Sequence, residues 1–148
     1  MRKFLRISIL FFATSLAIFT ISCNNKLDNM IDINTHIDFN MVIEPGSIWW
    51  NEGLTGVGSY ATVTGSGNSR GIIVYWAQPN EFMAYDRHPL FIEGPCENYR
   101  LEVSLPFIVD SCNDQKYIIL NGFNVNGDGT HLYWYQTSFD GRTLRVHN

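Results

Sequence analysis

Past the first two dozen residues, no stretch of this chain shows the 3.6-residue apolar period of a helix without a glycine, proline or asparagine cutting it, so helices are not expected there. Nor is there an internal repeat, a low-complexity block or a long run of charge, which points to one domain rather than two. No acidic residue precedes Asp28. Basic residues are few, ten against fourteen acidic in 148 residues, and an acidic balance argues against nucleic acid as a partner. The chain has no His-Glu-x-x-His pair, no phosphate loop and no carboxylate pair at a working spacing, so no catalytic residue is assigned. Cysteine is scarce: Cys23, Cys96 and Cys112 are all there are.

What is present begins with Arg2, Lys3 and Arg6, followed by an apolar stretch from Ile7 to Ile21 and then Ser22-Cys23. A charged start, a short apolar run and a small residue before cysteine are the marks of a lipoprotein signal. The expected processing removes residues 1–22 and acylates Cys23. Residues 23–36 then form the lipidated cysteine and a polar tether, and 37–148 the folded domain, in the cell envelope on a membrane outside the cytoplasm. Processing leaves seven basic against fourteen acidic residues, seven net negative charges, which disfavours anionic lipid as well.

With Cys23 acylated, Cys96 and Cys112 remain as a pair. In an oxidising compartment an even count reads first as a disulfide, closing a loop worth about 3 kcal/mol on the chain-entropy model. Metal ligation is the other reading.

The rest is punctuated as an antiparallel β protein built from hairpins. Strands are expected at 37–43, 59–64, 72–76, 82–85, 100–105, 107–110, 117–120, 123–125, 132–137 and 144–147. Turns fall at Gln78-Pro-Asn-Glu81, Pro106, Asn121-Gly122 and Asp140-Gly141. Aromatic residues make up 14% of the chain, which supplies large rings for sheet faces. Trp49 and Trp50 are adjacent and cannot both point inward from one strand, so one of them is a candidate exposed contact for sugar, lipid or protein.

Gly71-Ile-Ile-Val-Tyr-Trp76, then Glu81-Phe-Met-Ala-Tyr-Asp-Arg87, and finally Thr137 to Asn148 resemble the small Rieske-like lipoproteins of Bacteroidetes-type bacteria. The resemblance implies an all-β Rieske-like sandwich or small barrel. A Rieske domain holds a two-iron two-sulfur cluster on two thiolates and two imidazoles from two loops. The corresponding runs here are Asp86-Arg-His-Pro-Leu-Phe91 and Asp110-Ser-Cys-Asn-Asp-Gln-Lys-Tyr117, with at most one plausible ligand each, His88 and Cys112. The resemblance therefore implies a fold whose cluster has been lost, with no cofactor, and a non-catalytic binding or structural role beside an envelope protein. The alternative is electron transfer by a cluster or single metal on His88, Cys96 and Cys112. A further alternative is a carbohydrate-binding module steadied by calcium at Asn124, Asn126 and Asp128, whose alternate spacing matches the start of a calcium loop although Tyr135 stands where its last carboxylate is needed.

Overall fold

The computed structural model describes residues 35–91, 96 and 98–148. The expected signal, Cys23 and all of the expected tether before Thr35 lie outside them. The elements, in order, are β1 (Asp38–Val42), a single helical turn α1 (Ile48–Asn51), β2 (Tyr60–Val63), β3 (Ile72–Gln78), β4 (Glu81–Asp86), β5 (Glu102–Ser104), β6 (Phe107–Asp110), β7 (Gln115–Ile118), β8 (Trp134–Phe139) and β9 (Thr143–His147). All strand pairs are antiparallel. They form a six-stranded sheet in the order β1-β9-β8-β4-β3-β2 and a three-stranded sheet β5-β6-β7. The all-β, hairpin-built class expected from the sequence is the class observed.

The β3–β4 hairpin is the centre of the molecule because both of its faces are covered. Ile72, Val74, Phe82 and Ala84 point into one core with Met41, Leu54, Tyr135, Leu144 and Val146. Ile73 and Tyr85, on the opposite face, enter a second core with Leu90, Leu101, Ile108, Tyr117, Ile119 and Leu132. Side chains alternate across a strand, so only an uninterrupted apolar run can serve two cores at once. The turn between them is Pro79-Asn80, where proline presets φ and Asn80 takes φ +63°, a left-handed value asparagine tolerates. β8 pairs with β4 through Trp134 and Tyr135 and with β9 from Gln136 onward, which curls the large sheet around the first core.

Three local expectations are corrected. A helix does occur, α1, one turn long and capped by Ser47, whose Oγ accepts the Trp50 N–H at 3.3 Å. It carries Trp49 and Trp50, so neither lies on a strand; both are half-buried, Trp49 against the first core. The Asn121-Gly122 hairpin is not a two-residue turn between long strands. β7 ends at Ile118, whose carbonyl takes the Gly122 N–H at 2.7 Å while its N–H reaches the Phe123 carbonyl at 2.9 Å. The wider loop lets Ile119 turn into the second core. Finally, β7 begins at Gln115 and pairs with β6, so the second loop is the tip of a hairpin.

Gly122 has φ +72°, and a Cβ there would stand 2.7 Å from Cε1 of the buried Tyr85 ring. Strain in the left-handed region and overpacking both oppose a side chain. Gly122→Ala is expected to lower unfolding free energy by about 2–4 kcal/mol, read as a reduced urea midpoint at constant slope. An unchanged midpoint would contradict the close approach.

Candidate functional site

Two loops meet beside the second core. The first leaves β4 at Asp86 and runs to Leu101; the second is the β6–β7 tip at 111–114. Each starts from a fully buried aspartate that ends its strand. Asp86 Oδ1 accepts the His88 N–H at 2.7 Å and the Arg70 N–H at 3.4 Å, and its Oδ2 accepts the Tyr135 hydroxyl at 2.6 Å. Asp110 Oδ1 accepts the N–H groups of Cys112 at 3.1 Å and Asn113 at 3.2 Å, and its Oδ2 takes the Asn113 side-chain amide at 2.7 Å. A short acceptor side chain folding back onto the backbone two residues on is what aspartate does at strand ends. Here the carboxylates are buried, so those N–H groups are the partners that make burial tolerable.

The loops are fastened to each other. Cys96 and Cys112 form a disulfide with Cα atoms 5.9 Å apart. Asn113 Nδ2 donates to the Phe91 carbonyl at 3.0 Å, and Arg70 Nη1 donates to the Tyr99 carbonyl at 2.6 Å. His88 is buried, with Nδ1 2.8 Å from the Pro89 carbonyl. A carbonyl only accepts, so Nδ1 carries the proton of this bond.

These residues do not fit a Rieske cluster. Both loop sulfurs are bonded to each other, the loops offer one imidazole, and the second loop continues with Asn113 and Asp114 where another histidine would be needed. His131 packs against Phe123 and Trp134, and His147 lies on β9. Among the described residues, no group of three or more His, Cys, Asp or Glu side chains converges on a metal-sized site. The structure brings Cys96 and Cys112 together beside the His88 loop without making them a ligand set.

In the Asn124–Gly129 run, oxygens of the would-be calcium loop are turned to the backbone. Asn124 Oδ1 accepts the Asn126 N–H at 2.8 Å, and Asp128 Oδ1 accepts the Thr130 N–H at 2.9 Å and its hydroxyl at 2.6 Å. Asn124 Nδ2 donates to Gln115 Oε1 at 2.7 Å, tying this run to β7.

One formal motif escaped the sequence reading: Gly67-Asn-Ser-Arg-Gly71 has the spacing of a nucleophile elbow. That motif works on a strand-to-helix turn with an exposed hydroxyl. Ser69 is buried, its Oγ takes the Gly71 N–H at 3.3 Å, and a strand follows rather than a helix. The aspartates also escaped, although Asp86-x-His88 and Asp110-x-Cys112 share a spacing that marks both loop starts.

Burial raises the pKa of three tyrosines near the loops. Tyr117 is pushed up to about 12, chiefly by burial and then by the negative charges of Asp110 and Asp128. Tyr85 is raised by burial alone, and Tyr135 by burial and then by its bond to Asp86. A phenol whose folded pKa exceeds its unfolded value of about 10 contributes stability that is complete below pH 10 and lost above it. Stability is therefore expected to fall as pH rises from about 10 to about 12. In Tyr117→Phe the fall should be shallower. Neither the Tyr117 nor the Tyr85 hydroxyl has a well-formed hydrogen bond, so the phenylalanine variants should fold at neutral pH with little loss. Parallel pH profiles for wild type and Tyr117→Phe would contradict this.

The class defined by this geometry is an all-β antiparallel domain with two loops locked by buried aspartates and a disulfide. No family model matches the chain, and no curated protein does. Among solved structures, one from Mycobacterium tuberculosis assigned as an NADH-dependent nitrite reductase small subunit is similar over 78% of this chain and 97% of its own, at 7% identity and a TM-score of 0.46. A likeness that low carries no functional argument.

Proposed function

We propose that this chain is a lipid-anchored envelope protein whose Rieske-like domain holds no iron–sulfur cluster and acts as a non-catalytic binding component, with the fastened loop pair as its contact surface. The observation that supports this reading is the use made of the candidate ligands. The two thiols bind each other, and the histidine is committed to a neighbouring carbonyl. Loops held at several points lose little entropy when a partner docks on them, which favours recognition. Loops carried on a rigid scaffold are also where binding residues concentrate.

A photocrosslinking residue placed in the full chain at Asn98 or Ser111, both exposed, should give a discrete protein adduct in native membranes. The same probe at Arg145, on the far sheet, should not. Adducts from the Arg145 position alone would contradict the assignment of the contact face.

A further inference from the structure

The largest exposed side chain away from the loops is Trp134, 65% exposed at the start of β8. It is not isolated. The His131 ring lies 6.3 Å from it, and Phe123 lies 5.6 Å from His131 in an edge-on contact. Phe123 is 47% exposed, Val125 41% and Leu120 50%. Phe123 and Val125 flank the buried Asn124 in an extended run, so they emerge on one side of it. Phe123 bridges to His131, and Gly122 accepts the Leu132 N–H at 2.9 Å, which joins the loop after β7 to the segment entering β8. The result is one apolar and aromatic patch. Lys116 borders it, since its carbonyl takes the Val125 N–H at 3.0 Å.

The place where the described chain begins says what covers this patch. Thr35 is held by Asn148, whose Nδ2 donates to the Thr35 carbonyl at 2.9 Å and lies 3.3 Å from the Tyr133 hydroxyl. Tyr133 is the neighbour of Trp134 in sequence. The N-terminal segment therefore leaves the domain close to the start of β8. From Cys23 to Thr35 the chain spans at most about 40 Å fully extended, against a radius of gyration of about 13 Å for a domain of this size. A lipid at Cys23 would hold the patch within about a domain's width of the bilayer, at high effective concentration. Tryptophan, phenylalanine and leucine with a basic residue at the border suit the bilayer interface.

We infer that Leu120, Phe123, Val125 and Trp134 dock into the interfacial layer of the bilayer that carries the anchor, so that the domain lies on the membrane with Trp134 at headgroup depth. This rests in part on the reading of Cys23 as the anchor. With its seven net negative charges, the processed chain favours zwitterionic over anionic lipid.

The test uses the full chain reconstituted into phosphatidylcholine vesicles, with and without brominated acyl chains, followed by flotation and tryptophan emission. Brominated lipid is expected to quench a component of the wild-type emission that is missing from Trp134→Phe and Trp134→Ala. The phenylalanine variant keeps the packing should alanine disturb it. Floating vesicles whose Trp134 component is quenched by aqueous iodide and not by brominated lipid would overturn the docking and leave the anchor standing. A Trp134 component shielded from both quenchers would also overturn it, in favour of a second copy or another protein on the patch. Failure to float would overturn the docking and the anchor together.

Discussion

Asp86→Ala is expected to cost about 3–5 kcal/mol of stability, the loss typical of breaking a buried charged network. Its carboxylate is fully buried and receives the His88 and Arg70 backbone N–H groups and the Tyr135 hydroxyl. Alanine leaves those donors without their acceptor, and water has no easy route to replace it. Since domains of this kind have total stabilities of about 5–15 kcal/mol, the variant should be largely or wholly unfolded at modest urea concentration. Asp86→Asn should recover part of the loss, because its carbonyl oxygen can still accept from His88 while its amide meets the Tyr135 oxygen. Tyr135→Phe should cost less than either, because it removes only one donor. A denaturation midpoint for Asp86→Ala within error of wild type would show that the carboxylate does not organise the first loop.

The second large effect is expected from the disulfide. The double variant Cys96→Ser/Cys112→Ser opens a loop with a sequence separation of 16 residues, and the chain-entropy model gives a loss of about 3 kcal/mol. Its consequence should be local as well as global. The Asn113–Phe91 and Arg70–Tyr99 bonds would remain, and each alone is worth about 1 kcal/mol, too little to hold two loops in register. Amides at 112 and 113 should then exchange faster than those of β3 and β4. Reduction of the wild type should reproduce the same change. Equal stability with and without reductant would mean that the bond carries no load in the folded state.

How much of this could be read in the sequence follows from where the constraint lies. Strands 72–78 and 81–86 were visible because two cores demand an unbroken apolar run, and the Pro79-Asn80 and Asp140-Gly141 turns because their residues fit few other conformations. α1 was invisible: four residues show no period, and its cap is a single serine. The Asn121-Gly122 pair suggested a two-residue turn, but burial of Ile119 widened it, a tertiary demand that outweighs local turn preference. The loops themselves were found through resemblance and cysteine count, yet their organisers, Asp86 and Asp110, were passed over, since a buried carboxylate looks like any surface aspartate until its donors are seen. His88 was expected to be either solvent-facing or hydrogen-bonded, and it is buried and bonded. The exposed tryptophan was sought at Trp49 or Trp50 and is Trp134, because the one-turn helix tucks its neighbours against the sheet.

The central claim is that the two loops hold a disulfide and no cluster. The direct measurement is anaerobic purification of the full chain, with iron analysis and a visible spectrum, followed on the same sample by alkylation under denaturing conditions without reductant and peptide mapping. A colourless, iron-free protein with Cys96 and Cys112 recovered in one linked, unalkylated peptide pair is the expected result. Iron near about two per chain with visible charge-transfer bands, as a two-iron cluster requires, and both cysteines alkylated would contradict it.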